Sequence, residues 1–221
     1  MKDRSRLKIA MVGDYPLDEQ KIDGGVQAVM VILADCLSKT CETEIHIIAP
    51  KRDIKEDLSL KKGNISYYFF PKFKLFGYSP LELSIVLGVD KRKIFKRLQQ
   101  IKPAIVHCQD YVYSYLCKNS PYPTIITPHG MPQLEGRYKR IKLARFRAWL
   151  LGALSDWFFS RRVKYAILIS EYSRRMTKTS NQARRFIIPI PIKPDFFLLK
   201  NREVRGRLLF MASDVTPRTN P

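Results

Sequence analysis

Apolar residues fall into short, almost unbroken runs, separated by longer stretches in which they recur every three or four positions. The runs are LKIAMVG (7–13), EIHIIA (44–49), ISYYFF (65–70), AIVHC (104–108), TIIT (124–127), YAILIS (165–170) and RFIIPI (185–190). Runs with so little alternation predict strands covered on both faces, as in a parallel sheet. Helical periodicity lies between them, from Gly24 to Lys39, Pro80 to Ile101 with a break near Gly88, Tyr111 to Cys117, Lys139 to Phe159, and Glu171 to Thr179. Strand and helix in alternation predict an α/β fold, a doubly wound, Rossmann-like parallel sheet. Pro189, Pro191 and Pro194 then interrupt the pattern, and RGRLLFMAS (205–213) predicts one further strand with little chain left to accompany it.

Ligands of such sheets bind beyond the carboxyl ends of the strands. The residues there are Gly13, Asp14 and the loop to Gly24 and Gly25, then Gln109 and Asp110, Pro128, His129 and Gly130, and Ser170 with Glu171. Gly24 and Gly25 open a helix, where unpaired N–H groups and the helix dipole attract anions. The pair reads as a phosphate site or as a tight turn before a helix. His129, between Pro128 and Gly130, is the best-placed titratable group, and its alternative is a histidine satisfying a loop carbonyl. His46 and His107 lie inside strands and read as structural. There is no G-x-S-x-G, G-x4-G-K-[ST] or H-E-x-x-H pattern, so α/β-hydrolase, P-loop and zincin chemistry lack their signatures.

Composition adds constraints. With 45% hydrophobic residues over 221 positions the chain can bury a large core, which excludes a disordered or collagen-like polypeptide and favours one large domain. A net charge of +20 calls for anionic partners, with phosphates of nucleotides, nucleic acid or lipid the natural candidates. The cysteines at 36, 41, 108 and 117 form no C-x2-C knuckle and read as free thiols in a reducing cytosol. The N-terminal apolar run ends at Asp14, too short for a signal peptide, and no run reaches the roughly 18 residues of a spanning helix. The expectation is a cytoplasmic protein, with peripheral attachment to the inner face of the cell membrane open.

Read in order, KIAMVGDYP, GGVQAVMVILADCL, EIHIIAP, KPAIVHCQD, TIITPHG, YAILISEYSRRM, FIIPIPIKPDFF and RLLFMASDVTPR resemble the N-terminal half of the group-4-like retaining glycosyltransferases of the GT-B fold. The resemblance implies that Gly24 and Gly25 lie near the donor diphosphate and the acceptor, and that His129 lies beside the transferred sugar as the catalytic-site residue. It implies further that Ser170 and Glu171 start a cleft-lining helix; Gly13 and Asp110 are assigned to the substrate or phosphate site, with Ser170 and Glu171, by their places after strands. Gln109 stands where the family's H-A-H-D pattern has its second histidine, and Ile190 replaces the Asn of its hinge segment. The domains expected are 1–190 for the acceptor-side domain, 191–204 for a hinge, and 205–221 for the first strand of a C-terminal domain that is otherwise missing. Ser213 and Thr219 stand where that domain commonly has Arg and Lys. No cofactor or metal is expected.

Between Arg137 and Lys164 nine basic residues face Asp156 alone. Leu143, Phe146, Leu150, Leu154 and Trp157 form one helical stripe, expected to pack on the sheet. Trp149, Leu151, Phe158 and Phe159 fall off it. The surplus suits either a solvated face with contacts to other helices or an interfacial helix on anionic lipid, with Arg140, Lys142, Arg145, Arg147 and Trp149 facing the membrane and KFKLFGY (72–78) repeating the combination. The function expected is transfer of a hexose from a nucleotide sugar to a lipid-linked or saccharide acceptor once a donor-binding half, supplied as a separate C-terminal chain or otherwise, completes the enzyme. The other class is a non-catalytic basic module for anionic membrane or nucleic acid, the latter bound through charge without specificity.

Overall fold

The fold is that of a computed structural model, which describes residues 6–40, 42–73, 89–113, 120–130, 142–180 and 182–198. Its elements are β1 (Leu7–Val12), α1 (Gly25–Ser38), β2 (Thr43–Lys51), β3 (Leu58–Lys62), β4 (Ile65–Pro71), α2 (Val89–Ile101), β5 (Ile105–Cys108), β6 (Thr124–Ile126), α3 (Lys142–Arg162), β7 (Tyr165–Leu168), α4 (Glu171–Met176) and β8 (Arg184–Ile187). Short 3-10 turns cover Tyr111–Tyr113 and Pro194–Leu198. The eight strands form one sheet in the order β3-β4-β2-β1-β5-β6-β7-β8. All neighbours run parallel except β3 and β4.

Strand alternation sorts the apolar side chains onto two faces. Ile9, Met11, Ile45, Ile47, Ala49, Tyr67 and Phe69 pack on one, covered by Met30 and Ala34 of α1. Ala10, Val12, Ile48, Phe70, Val106, Cys108, Ile126, Ala166 and Leu168 pack on the other, against Ile94 and Leu98 of α2 and Phe159 of α3. Burial on both sides is why the strand sequences lack a polar alternate. Each such Ile or Leu side chain contributes about 1.5–3 kcal/mol, so α2 is held by its Ile94 and Leu98 stripe.

Three expectations are corrected. β8 is not covered on both faces: it is an edge strand with all four residues exposed, Phe186 at 45%. β3 was not foreseen, because its LSLKK residues are all exposed and carry no core pattern. Its signal was the two-residue Gly63-Asn64 turn into β4, with Gly63 at φ +59, the left-handed conformation such hairpin turns require. The third concerns α3. Gly152 and Phe159, seven residues apart on one face, are buried, with Phe159 against Tyr111 at 4.8 Å between ring centroids. Phe146, Leu150 and Trp157, expected to face the sheet, therefore project from the opposite side and are exposed. The predicted helix from Tyr111 begins as a 3-10 turn and its later part lies outside the described residues, as do the break near Gly88, the strand at 205–213, Arg140 and the Arg147 side chain.

The loop between β1 and α1 is pinned by a buried phenol. Tyr15 is fully buried and donates to Glu19 Oε1 at 2.6 Å, and Tyr67 of β4 donates to the same oxygen at 2.9 Å. Burial pushes the Tyr15 phenol up and the Glu19 carboxylate pushes it further. Burial would also raise Glu19, but both phenols and Lys62, 3.6 Å away, hold it below its usual value. Removing the acceptor strands two buried hydroxyls. We expect Glu19→Ala to cost about 2 kcal/mol, against about 1 for Tyr15→Phe, read from the midpoints of urea unfolding curves.

Candidate functional site

The register sets Val12 beside Ile48 and Cys108, and Cys108 beside Ile126. The residues that follow continue the ladder: Gln109 N–H donates to the Val12 carbonyl at 2.8 Å and Thr127 N–H to that of Cys108 at 2.8 Å. Gln109 and Thr127 thus stand side by side at the carboxyl edge, with His129 just beyond.

Their side chains form a chain of hydrogen bonds. His129 Nε2 lies 2.7 Å from Gln109 Oε1, Gln109 Nε2 lies 3.0 Å from His107 Nε2, and that nitrogen lies 2.8 Å from Thr127 Oγ1. With the amide oxygen accepting, the His129 proton sits on Nε2 and Nδ1 keeps its lone pair. Burial pushes His129 down, and burial with the neighbouring His129 pushes His107 down to about 4. Both rings are neutral at neutral pH. A neutral imidazole can accept a hydrogen bond from a substrate hydroxyl or stabilise a proton in transit.

A second cluster joins the start of α1 to the sheet. Asp14 accepts from Lys51 Nζ at 2.8 Å and from Gln27 Nε2 at 2.9 Å, and Gln27 Oε1 accepts from the Asp23 N–H at 3.1 Å. Burial would raise Asp14, yet these two hydrogen bonds and the charges of Lys51 and Lys72 hold it below the usual carboxylate range. Gly24 caps α1 without a side chain, no acid sits in the first turn, and nothing lies within 4 Å of where a Cβ would stand on Gly24 or Gly25. Packing does not demand glycine there, and its effect is to leave the positive helix end open.

The remaining expected site residues have local partners. A Cβ on Gly13 would come within 2.5 Å of Met30 Sδ and 3.0 Å of Gln109 Cβ, so a larger residue there must displace the Met30 thioether and press on Gln109. Asp110 accepts from the Tyr111 N–H and starts the 3-10 turn. Ser170 caps α4 through Ser173 N–H at 3.1 Å, and Glu171 pairs with Arg174 at 2.7 Å. Lys51, Gln27 and Thr127 were not singled out from sequence. Each ends or follows a strand or opens a helix at this edge, and that position was their signal.

The profile of Glycosyltransferase Family 4 matches residues 23–196, most of the chain and all of the edge from Gly24 onward. The chain belongs to Glycosyltransferase Family 4. No curated protein sequence matches it significantly. Among solved structures it is similar to sucrose-phosphate synthase from Thermosynechococcus elongatus (TM-score 0.55, 13% identity, 83% of this chain and 48% of that one). It is also similar to Phytolacca americana UGT2 complexed with UDP-2-fluoro-glucose and pterostilbene (0.55, 11%, 87% and 56%) and to the trehalose-6-phosphate synthase OtsA (0.54, 13%, 86% and 50%). The chain spans about half the length of each of these proteins. This likeness is of fold: the Rossmann-like sheet of a GT-B glycosyltransferase.

The Family 4 edge should declare its neutral histidines in the pH dependence of stability. His107 has a folded pKa near 4 against 6.5 unfolded, so below pH 6.5 the unfolded chain binds the extra proton. Stability is complete above pH 6.5 and falls toward pH 4, by up to about 3 kcal/mol for this residue. Urea unfolding from pH 7 to 4.5 should show that slope, and His107→Gln should flatten it; an unchanged slope in the variant would assign the loss elsewhere.

Proposed function

We propose that this Family 4 domain binds the acceptor of a retaining hexosyl transfer from a nucleotide sugar to a hydroxyl of a lipid-linked or saccharide acceptor. The observation that carries the reading is the hydrogen-bonded series His129, Gln109, His107 and Thr127 at the sheet edge. Gln109 fixes the His129 ring by one nitrogen and leaves the other for substrate. The open N-terminus of α1, tied to β1 and β2 through Gln27, Asp14 and Lys51, offers N–H groups to a phosphate. Ser170 caps α4 and Glu171 pairs with Arg174 in its first turn, which sets this helix for the substrate or phosphate role expected of both. The proteins similar in fold are about twice as long, so a donor-binding domain joining beyond the 191–204 segment completes the cleft.

Charge and aromatic exposure support a membrane as the place of work. Phe146 and Trp149 are 59% and 58% exposed, with stacked rings 6.1 Å apart, and Leu150 and Trp157 are exposed near them. Lys142, Arg145, Arg161 and Arg162 are exposed along the same helix. Aromatic side chains flanked by cations are the composition of a helix lying on anionic lipid. Among the described residues no helix is long and apolar enough to cross a membrane.

Activity is tested with labelled UDP- and GDP-hexoses and a bacterial lipid extract. The 221-residue chain alone should transfer nothing, whereas a fusion to the donor-binding domain of another Family 4 enzyme should transfer label. His129→Ala in that fusion should lower kcat about 100-fold, the scale of a lost transition-state contact, with little change in donor KM. Transfer insensitive to His129→Ala would overturn the reading.

Attachment is tested by co-sedimentation with vesicles. Binding should require phosphatidylglycerol and weaken with salt. Changing Lys142, Arg145, Arg161 and Arg162 to Gln should cut it more than 10-fold, since each cation near an anionic surface contributes about 1 kcal/mol. Equal binding to neutral and anionic vesicles would exclude the electrostatic account.

A further inference from the structure

The face of the sheet that carries α3 also carries α2, and α2 presents Lys91, Arg92, Lys93, Lys96 and Arg97 after a single acid, the buried Asp90. Between α2 and β4 lies a cleft of about 230 Å³ lined by Lys93, Lys96, Arg97, Gln100, Tyr68 and Phe70, and by one acid, Asp57. The volume is below the roughly 300–1,000 Å³ of pockets that enclose a drug-sized ligand, and it suits a small anion with the group that bears it.

The cations are ordered by the cleft itself. The Arg97 guanidinium lies over the Tyr68 ring at 4.4 Å, and the Lys93 ammonium over the Phe70 ring at 5.5 Å. Tyr68 is in turn stacked on His46, 6.0 Å between centroids. Stacking uses one face of a guanidinium and leaves its N–H edge for a ligand, the geometry that favours bidentate binding of phosphate. Asp57 pairs with Lys93 at 3.6 Å. Among the described residues Lys96 and Arg97 have no carboxylate partner, so the cleft keeps two uncompensated cations on an aromatic floor.

We propose that the cleft between α2 and β4 binds a phosphate ester borne on a small polar group. Lys96 and Arg97 hold the phosphate, Gln100 hydrogen-bonds the group attached to it, and Tyr68 and Phe70 form the floor. The site is separate from His129 and does not rest on glycosyl transfer. Its phosphate can come from a soluble ester or from the headgroup of a lipid.

Titration of the ¹⁵N-labelled chain with glycerol 3-phosphate at constant ionic strength tests it. Amide shifts should saturate and cluster at residues 68–70 and 93–100. Lys96→Gln and Arg97→Gln, together and singly, should weaken the titration at least 10-fold, while Lys178→Gln, an exposed cation elsewhere, should leave it unchanged. Inorganic phosphate binding at the same amides more weakly than the ester supports the role of Gln100. Loss of phosphatidylglycerol vesicle binding in the double variant would identify a lipid headgroup as the source, and soluble binding without any vesicle effect a free ester. Shifts that do not saturate, that chloride reproduces, or that persist in the double variant would overturn the proposal, as would vesicle binding with no saturable response to either soluble phosphate.

Discussion

Gly13 ends the central strand without a side chain, and what stands in that space decides how the edge is built. Met30 of α1 fills it from one side and the Cβ of Gln109 from the other, at 2.5 and 3.0 Å from where a Cβ would be. A larger residue would push either the helix or the glutamine, because a packed interior gives way only by moving its neighbours. The Met30 thioether could swing aside, but Gln109 is 1% exposed and ladder-bonded to Val12. Both polar clusters adjoin this contact. Gln109 links the two histidines, and α1 carries Gln27 to Asp14.

The domain keeps two kinds of electrostatics apart. At the edge, burial leaves His107 and His129 neutral, while the carboxylate of Asp14, held below its usual range, is matched by Lys51. Charge there is paired, the largely buried Lys51 side chain against the solvent-exposed Asp14. The excess positive charge instead lines α2 and α3. Local cations of that kind act in water and attract anions at long range, an effect that salt weakens.

What was legible from sequence follows from what burial writes into it. The inner runs became strands because burial excludes polar residues from them, whereas the seventh run, β8, is apolar yet lies exposed at the sheet edge. β3 escaped because its five exposed residues, LSLKK, form no buried apolar run, so its mark was the Gly63-Asn64 turn and not a pattern. His129 was found by its place after a strand, whereas its dependence on His107 through Gln109 was not, since a contact between side chains of different strands leaves no local trace. The face of α3 was read half a turn off for a related reason: its apolar residues are spread around the helix and set no clear phase, which is fixed instead by the burial of Gly152 and of Phe159 against Tyr111.

That inverted phase gives the proposed attachment its geometry. In a parallel crossover the chain leaves the carboxyl end of one strand and the helix runs back toward the amino end of the next. The first turns of α3, with Lys142, Arg145, Phe146 and Trp149, therefore lie toward the edge that bears His129, and the first turns of α2, with Lys91 to Lys93, lie toward the same edge. A membrane held by α3 would meet the domain beside its cleft and not at the far end of the sheet. An acceptor anchored in lipid then needs only to lift its reactive hydroxyl to the His129 edge, and its phosphate would pass the cations of α2 on the way.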